Sequence, residues 1–389
     1  MGSIKKSVLI NRPQLAGSYK KSGVDIWRYS FAGSETGTDA ERRFFIEFEM
    51  LNPYLSPAES KLGYQSRVNI SAEDLQNVLA GTASAQNLRS ETFVVPSYCV
   101  VRAGIYDVKP RQICEYFATK EVAFNTNVFN VDVGHCSFSD EKLSGFLDCP
   151  LSEIHEHPEY LCDAGSVSWE LRYDFKKEYS KGYFQRPDGW YTSVCNAVFA
   201  GTITFDGKEY TVNPKKCAGY VDRLWGKTYP DPYFHVSCSN LTSMITGQLM
   251  AKSGFAVQGA FADRVSLSMR IGEKELTFCA DEPKRSYQAI WECSQMPEDE
   301  NGERLHWSVS ITNKKFVIDI DVFCPASQLY VRSWELPEGK RKILKVIGGG
   351  SGTGEVRLYK KIKKNLELIE HAHVAMALCQ FGKTEDPEQ

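Results

Sequence analysis

Apolar residues alternate with polar ones along much of this chain, which is the pattern of β-strands that bury one face. The segment SVSWELRYDF (166–175) is the clearest case, because every second residue from Val167 to Phe175 is apolar or aromatic. Three other segments predict hairpins, namely FAGTITFDGKEYTV (199–212) turning at Asp206-Gly207, VSLSMRIGEKELTFCA (265–280) turning at Gly272-Glu273, and HWSVSITNKKFVIDIDVF (306–323) turning at Asn313.

Helical patterns are few and short. SAEDLQNVLA (71–80) predicts one helix, with Ser71 as its N-cap and acidic residues in its first turn. PRQICEYFA (110–118) is a candidate for a second helix. Many short strands separated by turns are typical of a β-sandwich or barrel, so we expect an all-β fold with few short helices.

The length of 389 residues predicts two halves in one chain. The polar segment EYSKGYFQRPDG (178–189) contains Gly and Pro and marks the predicted boundary. We therefore expect an N-terminal β-barrel over 10–185 and a C-terminal one over 186–380. Residues 381–389, which end in KTEDPEQ, are expected to form a disordered tail.

The net charge of -3 argues against a nucleic-acid partner, which usually requires a basic face. No run reaches the ~18 apolar residues of a membrane-spanning helix, and the first ten residues lack the apolar core of a signal peptide. These features predict a cytoplasmic protein and leave peripheral membrane contact and the oligomeric state open. The twelve cysteines include no C-x-x-C pair, so free buried thiols are expected.

Two patterns resemble ligand motifs without meeting their requirements. ILKVIGGGSGTGEV (343–356) is like a strand entering a nucleotide-binding loop, but no βα units follow it, and a flexible hairpin loop is the favoured interpretation. His371 and His373 would face the same way on a strand and could share a metal, or they could line a barrel interior. Spacing supplies no third ligand, so no metal site is assigned.

The richest chemistry lies in GYVDRLWGKTYPDPYFHVSCSN (219–240), which crowds aromatic residues around an acid, Asp222, and a titratable base, His235. Together with the preceding hairpin, this segment resembles the tocopherol cyclase family, in which a Y-x-E-K-x-W-G motif precedes an aromatic strand ending in Q-C-N. It is similar also to carotenoid 1,2-hydratases, whose motif is closer to D-x-x-W-G. Weaker similarity at 44–57, 131–148 and 165–175 follows the same order along the chain.

The resemblance implies two lipocalin-like β-barrel halves that hold an apolar, prenyl-like substrate. It also implies acid-initiated chemistry without metal or organic cofactor, in which an alkene is protonated and the cation is trapped by a phenol oxygen or by water. A carboxyl group kept neutral by an apolar wall could supply that proton. Aromatic rings could stabilise the resulting cation.

Asp222 falls on the acidic position of the family motif and is the candidate general acid. His235 replaces a family Trp, Ser237 replaces a Gln, and the added imidazole is a candidate base or proton relay. The expected site consists of the catalytic residues Asp222, His235 and Tyr220 and the substrate-binding residues Trp225, Tyr233, Asn240, Trp169 and Trp190.

Each residue also has a structural interpretation. Asp222 could form a surface ion pair with Arg223, Trp225 could plug a barrel, and His235 could satisfy a core hydrogen bond. Trp169 and Trp190 could be core residues. Three functions therefore remain open: an enzyme that cyclises, hydrates or isomerises an apolar alkene, a non-catalytic carrier of a lipid-like molecule, and a methyltransferase, which would require a parallel sheet.

Overall fold

The computed structural model describes residues 6–15, 22–38, 40–55, 57–63, 72–84, 94–106, 109–125, 129–157, 160, 162–175, 179–194, 197–300, 302–340 and 342–385. Three short α-helices occur in these ranges: α1 Lys6–Asn11, α2 Ala72–Leu79 and α3 Leu151–Glu156. Single 3-10 turns cover Pro53–Leu55, Thr119–Glu121 and Ala326–Gln328.

Strands make up most of the described chain. The first half contains β1 Val24–Glu35, β2 Glu41–Leu51, β3 Tyr98–Tyr106, β4 Arg111–Phe117, β5 Ala123–Phe124, β6 Asn130–Val133, β7 Cys136–Ser139, β8 Lys142–Cys149, β9 Gly165–Phe175, β10 Ser180–Gln185, β11 Asp188–Val194, β12 Ala197–Phe205, β13 Lys208–Val212 and β14 Tyr220–Gly226. The second contains β15 Tyr233–Cys238, β16 Leu241–Ser243, β17 Gly254–Phe261, β18 Arg264–Ile271, β19 Lys274–Phe278, β20 Gln288–Gln295, β21 Arg304–Thr312, β22 Phe316–Pro325, β23 Tyr330–Glu335, β24 Ile343–Ile362 and β25 Asn365–Glu385.

These strands form two antiparallel sheets, one with 14 strands and one with 11. In the first sheet, the long strand β1 pairs with β2 on one side and with β14 and β13 on the other. In the second, β25 joins β15 to β24. The predicted all-β architecture of two sheets with few short helices is confirmed, and the lipocalin-like character of the two halves stays a prediction.

Each sheet encloses an apolar core, and a third cluster lies between the two sheets. Trp27, Phe48 and Trp169 belong to the core of the first sheet, and Trp307 belongs to the core of the second. The cluster between the sheets draws on both, with Tyr220 from the first and Trp334 from the second. Ligand sites form preferentially where two such units meet.

The three predicted hairpins are confirmed, with β12–β13 turning at Asp206-Gly207, β18–β19 at Gly272-Glu273, and β21–β22 at Asn313. The Asn313 side-chain oxygen accepts the backbone N–H groups of Lys315 and Phe316 at 2.8 Å each, which fixes that turn.

The two sheets do not divide at the predicted boundary of 185/186. The first sheet extends to Gly226 and the second begins at Tyr233, because the β10–β11 hairpin pairs with β14 and so belongs with β1. The polar segment 178–189 is therefore mostly an edge hairpin, and the D-x-x-W-G motif lies on the first sheet. The expected disordered tail is also wrong for 381–385, which continue β25, while 386–389 lie outside the described residues.

Two other predictions, both about secondary structure, need correction. Residues 111–117 form β4, whose backbone pairs with β3, so the second candidate helix is wrong. The Gly-rich run 343–356 lies within β24 and is not a loop. Gly354 permits this, since a Cβ there would lie 1.9 Å from the Asp321 carbonyl oxygen.

His371 and His373 lie on the face of β25 away from the core, because their neighbours Ala372 and Val374 fill it. The pair therefore does not line a barrel interior. His371 Nε2 lies 2.9 Å from Glu355 Oε2. Within the described ranges, no three His, Cys, Asp or Glu side chains come together in a way that could hold a metal ion.

The eleven cysteines that the structure describes are free thiols, as the sequence predicts. In the same part of the chain, no helix is both long enough and apolar enough to cross a bilayer.

Candidate functional site

Charged and hydrogen-bonding side chains lie between the two sheets. They come from the inward face of β1, β2, β3, β11 and β14, from the segment between β14 and β15, and from the facing residues of β15, β17, β23 and β25. We call this set the interface layer, and its members are Arg28, Arg43, Glu47, Glu49, Arg102, Trp190, Tyr220, Asp222, Tyr229, Tyr233, His235, Gln258, Arg332 and Gln380. All of them are buried. Burying a charged side chain without a partner costs free energy, so the contacts of each charged residue in this layer show how its charge is compensated.

Asp222 is fully buried and is held by Arg28, not by its neighbour Arg223. Arg28 donates from Nε to Asp222 Oδ1 and from Nη2 to Oδ2, both at 2.8 Å. The Tyr220 hydroxyl and the Trp190 indole N–H also donate to Oδ2, at 2.8 and 3.0 Å. Asp222 therefore accepts four hydrogen bonds, from three side chains on β1, β11 and β14.

This environment differs from the neutral, apolar-walled carboxyl group that the sequence suggested. Guanidinium and indole N–H groups can only donate, so the carboxyl oxygens of Asp222 act as acceptors in these contacts. Arg223 points to the opposite face of β14, where it pairs with Asp25 at 2.7 Å and stacks 3.6 Å above the Trp27 ring. The alternative of a surface ion pair between Asp222 and Arg223 is thus wrong, whereas the role of Asp222 as a general acid stays a prediction.

A second charged group adjoins the first. Arg102 Nη1 contacts Glu47 Oε1 at 3.0 Å and Glu49 Oε2 at 2.5 Å. Arg332, which comes from the second sheet, contacts Glu47 Oε2 at 3.2 Å. The Tyr229 hydroxyl donates to Glu49 Oε1 at 2.5 Å. Charged contacts thus cross from one sheet to the other.

His235 lies near Tyr220, with 5.5 Å between ring centroids, but it does not contact Asp222 directly. Its Nδ1 lies 3.1 Å from Gln258 Oε1, and its Nε2 lies 3.0 Å from Ser237 Oγ. Burial and the positive charge of Arg28 lower the pKa of His235 to about 3. The neutral imidazole and its two neutral partners, Gln258 and Ser237, thus hold one another in place. A proton relay from His235 to Asp222 remains a prediction.

The low pKa of His235 makes a testable contribution to acid lability. The unfolded chain binds a proton at His235 below about pH 6.5, whereas the folded chain resists it down to about pH 3, so stability is lost as the pH falls through this window. We expect His235 to account for about 2 kcal/mol of the loss between about pH 7 and about pH 5.

Urea unfolding of the wild type and of His235→Gln at both pH values measures the contribution of His235 to the free energy of unfolding. The variant should lose less stability on acidification than the wild type, by about that amount. His306→Gln, at a half-buried histidine outside the interface layer, is the matched control. An unchanged pH dependence in His235→Gln would contradict the assignment.

The other predicted site residues divide into two groups. Trp190 and Tyr220 contact Asp222 directly, and the Tyr233 hydroxyl accepts a hydrogen bond from Arg28 Nη1. Burial raises the pKa of Tyr233 to about 12, so this phenol remains protonated at neutral pH.

Trp225, Trp169 and Asn240 lie away from Asp222. Trp225 stands an odd number of residues from Asp222 on β14, so it faces the first core and stacks on Tyr191 at 5.6 Å. Trp169 is buried in the same core. Asn240 lines a surface pocket of about 240 Å³ outside the interface layer. We therefore remove these three residues from the candidate site.

A small cavity opens within the interface layer. Its volume is about 20 Å³, and its walls include Arg28, Glu47, Tyr220, Arg332 and Gln380. Phe45, Tyr106 and Leu378 supply its apolar side. Asp222 does not line the cavity, but its hydrogen-bond partners Tyr220 and Arg28 do. One side of the cavity is thus polar and the other apolar, and its volume gives room for about one water-sized group.

The sequence analysis did not single out Arg28, Glu47, Arg332 or Gln380. A signal was present, because Arg28 interrupts DIWRYSF (25–31) and Glu47 interrupts RRFFIEFEML (42–51) within otherwise apolar strands. Alternation alone assigns such positions to solvent. They are buried here because a second sheet covers that face.

No protein-family model matches this chain, and no curated protein matches it. Similar solved structures include a protein described as AttH from Nitrosomonas europaea, with 11% identity and a TM-score of 0.43 over 94% of this chain and 95% of that one. Kievitone hydratase from Nectria haematococca has 11% identity and a TM-score of 0.44 over 98% and 93%. CghA has 8% identity and a TM-score of 0.44 over 94% and 90%. Similarity at this level concerns the course of the chain and carries no argument about chemistry.

Proposed function

We propose that this protein is a cofactor-independent enzyme that cyclises, hydrates or isomerises an apolar, alkene-bearing small molecule between its two sheets. The observation that carries the proposal is the contact of the Tyr220 hydroxyl with Asp222 at 2.8 Å, in the wall of the interface cavity. Buried titratable groups beside a cavity are characteristic of active sites.

The proposed step is a proton relay. A protonated Asp222 passes its proton to the Tyr220 oxygen while Tyr220 passes its own hydroxyl proton to an alkene carbon, so that Tyr220 remains neutral. The resulting cation is trapped by a phenol oxygen of the substrate or by water, or in isomerisation it loses a proton from an adjacent carbon, and the proton released returns to Asp222. Burial raises the pKa of Tyr220 well above its usual value, so its hydroxyl stays protonated at neutral pH and can give up its proton only as one from Asp222 replaces it.

Arg28 sets the timing of this step in the proposal. Its guanidinium holds both carboxyl oxygens of Asp222, and Arg28 also lines the cavity. A substrate oxygen that accepts a hydrogen bond from Arg28 would compete with Asp222 for the guanidinium and so release a carboxyl oxygen to carry the proton. The rings of Phe45 and Tyr106 then face the developing cation.

Prenylated hydroquinones and prenylated phenols are the first substrates to test, since the tocopherol-cyclase-like reaction acts on such molecules. Liquid chromatography with mass spectrometry should detect a product of unchanged mass for cyclisation or isomerisation, or one that has gained a water for hydration. Heat-denatured protein is the control. Equal product in both samples would contradict the proposal.

A non-catalytic carrier is the second candidate. The observation that favours it is the complete pairing of Asp222 by four donors, which leaves the carboxylate occupied. A carrier would bind the same compounds in a titration and return them unchanged in the same chromatogram.

A further inference from the structure

The buried charges of the described chain do not balance. Five arginines and four acidic residues are buried, namely Arg28, Arg43, Arg102, Arg223 and Arg332 with Asp25, Glu47, Glu49 and Asp222. Since burying an uncompensated charge is costly, the excess positive charge requires a partner. The question is which guanidinium group carries it.

Two arginines line the cavity, Arg28 and Arg332, and Arg332 has the less complete set of hydrogen-bond partners. Its Nη1 contacts Glu47, but Glu47 is also held by Arg102 at 3.0 Å. Among the residues that the structure describes, Nε and Nη2 of Arg332 have no hydrogen-bond partner although both atoms are buried. Arg28 uses the same two atoms to hold both oxygens of Asp222.

The position of Arg332 suits a ligand group. Its guanidinium stacks 4.1 Å from the Phe45 ring and 5.2 Å from the Tyr330 ring, and the side chain lines the interface cavity. Stacking covers the face of the guanidinium and leaves its edge for an acceptor in the plane. Nε–H and Nη2–H are parallel donors that match a two-oxygen anion.

Arg43 reinforces the positive character of this corner. It has neutral acceptors, Ser30 Oγ and the Met376 carbonyl, each at 2.9 Å, and its buried Nη2 has no partner among the described residues. Arg43 is the register partner of Tyr106 on β3, and Tyr106 lines the cavity. An anion bound beside Tyr106 would compensate both guanidinium groups.

We propose that Arg332 anchors a delocalised oxyanion, such as a carboxylate or an acidic enol, on an otherwise apolar ligand of the interface cavity. The inference rests on the proposed function in that it concerns the same cavity. The cavity of about 20 Å³ has room for about one water-sized group, so it would take only the oxyanion, and the apolar remainder of the ligand would need space that opens past Leu378 and Tyr106.

The test compares cinnamate with cinnamamide, which share their shape and differ in charge, by isothermal titration calorimetry. The wild type should bind cinnamate at least about tenfold more tightly, because hydrogen bonds to charged groups are the stronger kind. Arg332→Gln should bring the two affinities within about twofold of each other. Arg332→Lys keeps the charge without the fork, so it should retain part of the preference.

Arg357→Gln is the matched control, since Arg357 is a partly exposed arginine paired with Glu355 elsewhere on the second sheet. It should keep the wild-type preference. Arg332→Gln is expected to fold, because Glu47 retains Arg102, and its thermal midpoint should not fall. Equal affinities in the wild type, a preference that survives in Arg332→Gln, or no binding of either compound would each overturn the inference. Because the readout is binding, a failure of catalysis would leave this result unaffected.

Discussion

Replacing Arg28 with Met is expected to lower the free energy of unfolding by about 3–5 kcal/mol, the largest stability loss that we predict for one substitution. The variant leaves Asp222 buried without its bidentate partner, and only Trp190 and Tyr220 still donate to it. It also removes the guanidinium that reaches Tyr233 in the second sheet. Urea unfolding measures the loss.

The double variant Arg28→Met, Asp222→Leu separates the ion pair from the packing around it. Because both charges are removed, most of the loss should be recovered relative to Arg28→Met alone. Arg304→Met is the control, since Arg304 pairs with Asp299 near the surface and should cost less than about 1 kcal/mol. A loss that small for Arg28→Met would mean that the pair does not hold the interface layer.

The second large effect concerns catalysis. Asp222→Asn is expected to lower kcat for a prenylated phenol by about a hundredfold to ten-thousandfold, the usual contribution of a general acid. The amide keeps the size of the carboxyl group but cannot donate the proton of the proposed step. Tyr220→Phe should cause a comparable loss, because it removes the relay and leaves the Arg28–Asp222 pair in place.

Trp225→Phe serves as the control for both variants. It lies on the same strand as Asp222 but faces the opposite core, so kcat should stay close to the wild-type value. If Trp225→Phe lost activity as strongly as Asp222→Asn while remaining folded, the site would lie on the other face of β14.

The sequence predicts the strands well, because their alternation and turn residues are local properties. Asp206-Gly207 and Asn313 encode their hairpins within a few residues. The predicted boundary at 185/186 was wrong because a polar segment with Gly and Pro has the same composition in an edge hairpin as in a linker between domains. The β10–β11 hairpin belongs to the first sheet because β11 pairs with β14, and local composition does not encode that pairing.

The site was predictable only in part. Residues at even spacing on a strand share a face, so Tyr220 and Asp222 lie on one face and Trp225 on the other. Once β14 is assigned as a strand, the sequence alone therefore predicts that Trp225 lies outside the site. The Arg28 partner was not available, because it lies 194 residues from Asp222. Arg332 enters from a different sheet, which no local pattern could reveal.

Conversion of a prenylated phenol in deuterated water tests the central claim most directly. If the Asp222–Tyr220 pair delivers a solvent-derived proton to an alkene carbon, the product should carry one deuterium at carbon that does not wash out in ordinary water. Mass spectrometry of the re-equilibrated product measures it. A product without retained deuterium would contradict proton-initiated chemistry, and unchanged substrate would leave the protein as a carrier.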